Sequence, residues 1–170
     1  MNVPKQSAAD PVPTYGSGRI ALSEEVIDLS NVAGDGSGQV VRAPWSAASV
    51  AHVRHALVLD LEARGLPEQL IDEAEIVVSE LVANAVRHAT PLADGTMRVK
   101  WKVRGTIVEI DVTDGGGTTA PKPAPRAVWS PAGRGLRIVR SLAHEWGVLE
   151  ERSGVTVWAS LGGPTRRRAT

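Results

Sequence analysis

The chain contains no cysteine. Disulfides, thiolate nucleophiles and cysteine-ligated metals are therefore excluded, and a reducing compartment is compatible with the composition. Phenylalanine is also absent and tyrosine occurs once, so Val, Leu, Ile, Ala and five Trp must build any core. Hydrophobic residues reach 42%, which is enough for one. Neither sign of charge is in excess: Lys plus Arg number 19, and Asp plus Glu number 19. That balance gives no general attraction to nucleic acid or to an anionic membrane. The cluster Arg166, Arg167 and Arg168 reads as a solvated tail, with a DNA-contacting arm as the minor alternative. Long hydrophobic runs are missing too, and none approaches the ~20 residues that a membrane span needs. Met1 to Asp10 is polar and has no apolar core of the kind a secretory signal carries. The expectation is a soluble, cytoplasmic protein. Its 170 residues suit one compact domain.

Periodicity divides the chain. Residues 1–38 are rich in Pro, Gly and Ser and read as a flexible leader, although Glu25 to Leu29 could form a short strand or helix. Residues 39–162 carry the patterned domain, and 163–170 form a basic tail. Gln39 to Ala43 is expected to be a strand. Ser46 is expected to N-cap a helix marked by Val50, Val53, Leu57 and Leu61 and ended by Gly65. Pro67 is placed in the first turn of a second helix that runs to about His88. Thr90-Pro91 and Asp94-Gly95 are loop signals. Met97, Val99, Trp101 and Val103 alternate with basic residues; after Arg104-Gly105, Ile107, Val108, Ile110 and Val112 lead to Asp114. This is an antiparallel hairpin with one buried face. Residues 115–134 hold too much Gly and Pro for a regular element, and a loop of that length is usually functional or disordered. Leu136, Ile138, Val139, Leu142, Ala143 and Trp146 mark a third helix ended by Gly147. Val148 to Glu151 and Val155 to Leu161 are the final strands. Helices on one face of a mostly antiparallel sheet follow from that order.

Three constellations carry chemistry. In the second helix Glu80, Asn84 and Arg87 stand at i, i+4 and i+7, off the apolar stripe of Leu70, Ala74, Val77, Val78, Leu81 and Ala85. An amide oxygen can ligate Mg²⁺, and a carboxylate one turn away can orient or deprotonate a nucleophile. On spacing alone a solvated surface is favoured, with Glu80 pairing Asn84 or Arg87. Next, Asp114-Gly115-Gly116-Gly117 follows a hydrophobic strand. Its carboxylate can accept from an exocyclic amine, and its glycines permit close backbone approach; a plain Asp-Gly turn fits equally. Last, Gly133-Arg134-Gly135-Leu136 opens the third helix, where bare amides and Arg134 can meet a phosphate; a flexible loop end fits equally. It is neither a P-loop nor a Rossmann fingerprint. His52 and His55 have no ligand cluster near them and read as ordinary surface or packing residues. Trp101, Trp146 and Trp158 read as core or edge packing, and Trp129 could be a partner contact.

Taken in order, the three segments resemble the N box and the two glycine boxes of the GHKL (Bergerat) ATPase superfamily. The likeness is to its small branch of anti-sigma-factor serine kinases and related bacterial regulators. Val78 to Ala89, Gly133 to Leu136 with Trp146-Gly147, and Thr156 to Ala159 carry it, over roughly residues 40–161. One departure is Thr118, which stands where the larger superfamily often has the last glycine of Asp-x-Gly-x-Gly.

The resemblance implies an α+β, two-layer α/β sandwich with helices on one face of a mostly antiparallel mixed sheet. It implies ATP with Mg²⁺ as cofactors. Asn84 would hold the metal, and Glu80 would be the base toward a serine hydroxyl or water. Asp114 would read the adenine amine, and Gly116 would let the base approach. Residues 115–132 would be a lid, and Gly133, Arg134, Gly135 and Leu136 would meet the phosphates. Thr156 would lie near the adenine. The expected activity is phosphorylation of an antagonist protein, with a sigma factor as a further partner. A non-catalytic ATP-dependent switch is the alternative. A detached histidine-kinase catalytic domain is disfavoured, because no dimerisation helices with an acceptor histidine are seen. Direct nucleic-acid or membrane contact is not expected, and a homodimer is compatible.

Overall fold

The computed structural model describes residues 20–22, 25–27, 38–117 and 134–163. Strands β1 (Ile20–Leu22) and β2 (Glu25–Ile27) pair antiparallel with each other within the stretch expected to be a leader. The domain begins with β3 (Gly38–Pro44), followed by α1 (Ala48–Ala63) and α2 (Glu68–His88). The hairpin β4 (Thr96–Arg104) and β5 (Ile107–Asp114) comes next. After it come α3 (Arg134–Leu142), β6 (Glu145–Glu151) and β7 (Gly154–Gly162). The five-stranded sheet has the order β3-β4-β5-β7-β6, and every pairing in it is antiparallel. The expected mixed sheet is thus wholly antiparallel among the described residues.

Alternation explains the sheet's two faces. Met97, Val99 and Trp101 of β4, Val108, Ile110 and Val112 of β5, and Val157, Ala159 and Leu161 of β7 are all buried. They meet the apolar stripe of α2, where Leu70, Ala74, Val77, Val78, Leu81 and Ala85 are buried as their spacing requires. The helices α1 and α3 flank α2 and contact it. On the opposite face most of the intervening residues of β4 and β5 are polar, and Lys100 stands directly across from Asp111 with 3.8 Å between their charged atoms. One polar knot secures α1 to the sheet. The carboxylate of Asp60 accepts the Trp101 indole N–H at 2.8 Å and the Arg64 guanidinium at 2.8 Å. A buried Trp thereby keeps its donor satisfied.

Element ends depart from the sequence reading in three places. Ser46 does not cap α1: Ala47 holds the N-cap position without a side-chain bond, and the Ser49 hydroxyl donates instead to the Pro44 carbonyl at 2.7 Å. Pro67 is the N-cap of α2 and not a first-turn residue, since its ψ of 137° is extended while its carbonyl accepts from Leu70 and Ile71. Trp146 and Gly147 belong to β6 and not to the third helix. The His144 N–H already donates to the Ser160 carbonyl at 2.7 Å, so the chain has joined the sheet before Trp146. Trp146 then faces Ala159, and Gly147 faces Trp158. Gly65 closes α1 as expected: its N–H reaches the Glu62 carbonyl at 2.9 Å and that of Leu66 reaches Leu61 at 3.2 Å.

Candidate functional site

The second half of α2 turns Glu80 and Asn84 away from the buried stripe, and both are half-buried. Among the described residues neither makes a hydrogen bond or salt bridge with the other or with Arg87. The self-paired surface that spacing alone favoured is therefore not formed. Arg87 and His88 are exposed at the helix end.

The first turn of α3 lies against Glu80. A Cβ built on Gly135 would stand 2.6 Å from Glu80 Oε2, so only a residue without a side chain fits there unless the carboxylate moves. Leu136 anchors the same turn by packing on the core. Glycine at 135 thus lets backbone come close to the α2 carboxylate. Gly133 and the side chain of Arg134 lie outside the described residues, as does the proposed lid from Thr118 onward, with Trp129.

The third part is the end of β5. Asp114 is only 5% exposed, and burial pushes its carboxyl above the ordinary carboxylate value. A 2.7 Å hydrogen bond from the Gly116 N–H to Asp114 Oδ1 opposes that shift. Gly116 has φ of +81°, a conformation in which an ordinary side chain is strained, and this turns its amide back to the carboxylate. A buried carboxylate with one fixed donor has acceptor capacity left for an amine.

Thr156 is not brought to Asp114. The register sets Thr156 opposite Thr113, and their hydroxyls bond at 2.8 Å. Side chains alternate across a sheet, so both threonines face away from the side on which Val112 and Asp114 lie. Val155 is the residue opposite Asp114, and its Cγ2 lies 3.3 Å from where a Gly116 Cβ would be. Sequence reasoning missed Val155, because only the cross-strand register identifies it.

It also missed Thr90, which joins the two halves of the site. The Thr90 N–H and hydroxyl both donate to the Gly116 carbonyl, at 2.9 and 2.6 Å. The Gly115 N–H donates to the Thr90 carbonyl at 2.8 Å. The only signal at Thr90-Pro91 was that of a loop.

The donor set fits a nucleotide-bound Mg²⁺ better than a metal held by protein alone. No group of three or more His, Asp or Glu side chains that could hold a metal occurs among the described residues. Mg²⁺ commonly takes one or two protein ligands and completes its shell with phosphates and water. The Asn84 amide, with the Gly135 backbone across from Glu80, suits that division. His52 has a buried Nδ1 without a partner among the described residues, and His55 is exposed; neither joins this site. An open cleft between the start of α2 and the end of α3 is lined by Leu70, Glu73, Arg140, His144 and Trp146. None of the candidate residues lines it. Leu70 and Asn84 lie roughly 21 Å apart along the helix, at 1.5 Å per residue.

Among solved structures, the RsbU and RsbW domains of Rv1364c from Mycobacterium tuberculosis resemble this chain with 20% identity and a TM-score of 0.57. The match covers 73% of this chain and 31% of that one. The histidine kinase domain of the Erythrobacter litoralis EL346 blue-light activated histidine kinase is 20% identical, over 69% of this chain and 60% of that one, with a TM-score of 0.41. The first likeness is one of fold; this chain spans about a third of that neighbour's length. No curated protein matches the sequence. The model of the histidine kinase-like ATPase domain family matches residues 43–161, which run from β3 to β7 and include Glu80, Asn84, Asp114 and Gly135. The chain belongs to the histidine kinase-like ATPase domain family.

Proposed function

We propose that this domain binds ATP with Mg²⁺ and acts as a protein serine/threonine kinase of the anti-sigma-factor type on an antagonist protein. The observation that carries the reading is the meeting of Glu80 with the Gly135 backbone at the start of α3. It joins a carboxylate to the glycine segment suited to phosphate, one helical turn from Asn84.

In this reading Asp114 accepts from the adenine amine, and Gly116 leaves room for the ring. Asn84 offers its amide oxygen to Mg²⁺, and the Gly133–Leu136 segment with Arg134 holds the phosphates. ATP supplies the transferable phosphoryl group. Glu80 takes the proton of the attacking serine hydroxyl. A sigma factor and an antagonist are the expected partners, in the cytoplasm. The pairing of RsbU and RsbW domains in the Mycobacterium tuberculosis neighbour supports a search for such a partner.

The test is transfer of labelled phosphate from ATP to serine-bearing candidate antagonists from the same genome. A positioned base contributes ~10²–10⁴-fold. Glu80→Gln is expected to keep ATP affinity and lose transfer by about that factor. Binding of ATP without transfer or hydrolysis would leave a nucleotide-dependent switch. Undiminished transfer by the variant would remove Glu80 from the role of base.

A further inference from the structure

Helix α2 ends at His88, and Ala89 closes it with an N–H donated to the Ala85 carbonyl at 2.9 Å. Ala89 is already extended, with ψ of −169°, so the chain leaves the helix straight. It runs directly onto the turn after β5. There the three Thr90 bonds fasten it to Gly115 and Gly116. A Cβ on Gly115 would come within 2.2 Å of the Pro91 carbonyl oxygen, so the two segments are in backbone contact. Gly116 in turn holds Asp114 through its N–H. Backbone links and hydrogen bonds together therefore connect the end of the Asn84-bearing helix to the Asp114 carboxylate.

The Thr90 side chain has no part in the core, because Thr90 is exposed. Its hydroxyl could bond water at no cost. Instead it doubles a bond that its own N–H already makes to the Gly116 carbonyl.

We propose that Thr90 is a positioning residue that couples the metal-holding end of α2 to the adenine-reading turn at Asp114–Gly116. The inference rests on the nucleotide-binding reading and deepens it. When Thr90 ties the segments, Asn84 and Asp114 are held at one spacing, and a nucleotide bridging them gains from both at once. When the tie is cut, each end binds its part of the ligand more independently. The gain in nucleotide affinity that Mg²⁺ confers then shrinks.

The experiment titrates ADP into wild type, Thr90→Val and Thr90→Ser, each with Mg²⁺ and with chelator, and records the melting temperature of each ligand-free protein. Thr90→Val keeps the shape and removes the hydroxyl. Its Mg²⁺-dependent gain in affinity is expected to fall about fivefold, as for one lost hydrogen bond. Thr90→Ser is expected to restore the gain. A structural role alone would lower the melting temperature and leave the gain intact. An unchanged gain in folded Thr90→Val, or a loss in Thr90→Ser equal to that in Thr90→Val, overturns the proposal. Should Thr90→Val fail to fold, hydrogen exchange in wild type decides. The Thr90 and Gly115 amides should slow on addition of Mg²⁺-ADP, and unaltered exchange overturns the proposal. If wild type binds no ADP under either condition, the nucleotide reading falls and takes the coupling with it. Binding with an unchanged gain sinks the coupling alone.

Discussion

Asp114 is a carboxylate held where a carboxylate is costly. Burial raises its pKa, and the Gly116 hydrogen bond only partly offsets this. The sign follows from linkage. A raised folded-state pKa means that the fold prefers the protonated form. A folded-state pKa above the unfolded one therefore lowers stability at any pH well above the ordinary 3.8. Protonation in the folded state relieves that cost as pH falls through the raised value toward the ordinary 3.8. Asp114→Asn should therefore melt higher than wild type at pH 7, and the difference should narrow as pH approaches 3.8. Melting curves across that range check it. A variant less stable at pH 7, or a gap independent of pH, would contradict the assignment of burial as the cause. The place of Asp114 at the end of β5 was legible from the alternating strand that leads to it, whereas its proposed role was not, since a plain Asp-Gly turn fits the same residues. The place of Thr156 was not, since a one-residue change in strand register exchanges the two faces. No property of the β7 sequence by itself says whether Thr156 or Val155 faces Asp114.

At the scale of elements, period decides what can be read. The stripe along α2 spans many turns and survives intact, and the β4–β5 hairpin alternates cleanly on its buried face. Trp146 misleads because it stands four residues after Leu142, a helical interval, while the bond from His144 to Ser160 has already drawn the chain into β6. A short helix followed without a long loop by an edge strand gives too few residues for either period to show. Contacts between elements are less legible still. Asp60 looks like one more charged residue on α1, yet it serves Trp101 of β4 and Arg64 of its own helix. Asp60→Ala leaves a buried indole donor unpaired and should cost about 1–3 kcal/mol. Arg64→Ala, which loses the partly exposed i,i+4 partner, should cost about 0–1 kcal/mol. Denaturant unfolding of both variants checks the order. Equal costs would mean that the Trp101 bond does not anchor α1.

For the whole molecule, three segments distant in sequence converge because the sheet order sets β7 between β5 and β6 while α3 packs on α2. The chain order of helix, strand end and helix start is therefore also a spatial arrangement, which is why an ordered set of motifs could point to the family. The links between them could not be read, since Thr90 to Gly116 and Glu80 to Gly135 are contacts across the fold. No helix among the described residues is long and apolar enough to cross a membrane. The proposed function requires this arrangement to bind ATP, with Asp114 at the adenine and Asn84 at the metal. Calorimetric titration of ATP and GTP, with Mg²⁺ and with chelator, into wild type and Asn84→Ala reads both roles at once. ATP should bind wild type with a Mg²⁺-dependent gain that GTP does not match, because guanine lacks the amino group at the position Asp114 would read. Asn84→Ala should stay folded, its side chain lying off the buried stripe, and lose that gain. Equal affinity for GTP would remove Asp114 from the adenine, and a folded Asn84→Ala that keeps its Mg²⁺ dependence would remove Asn84 from the metal.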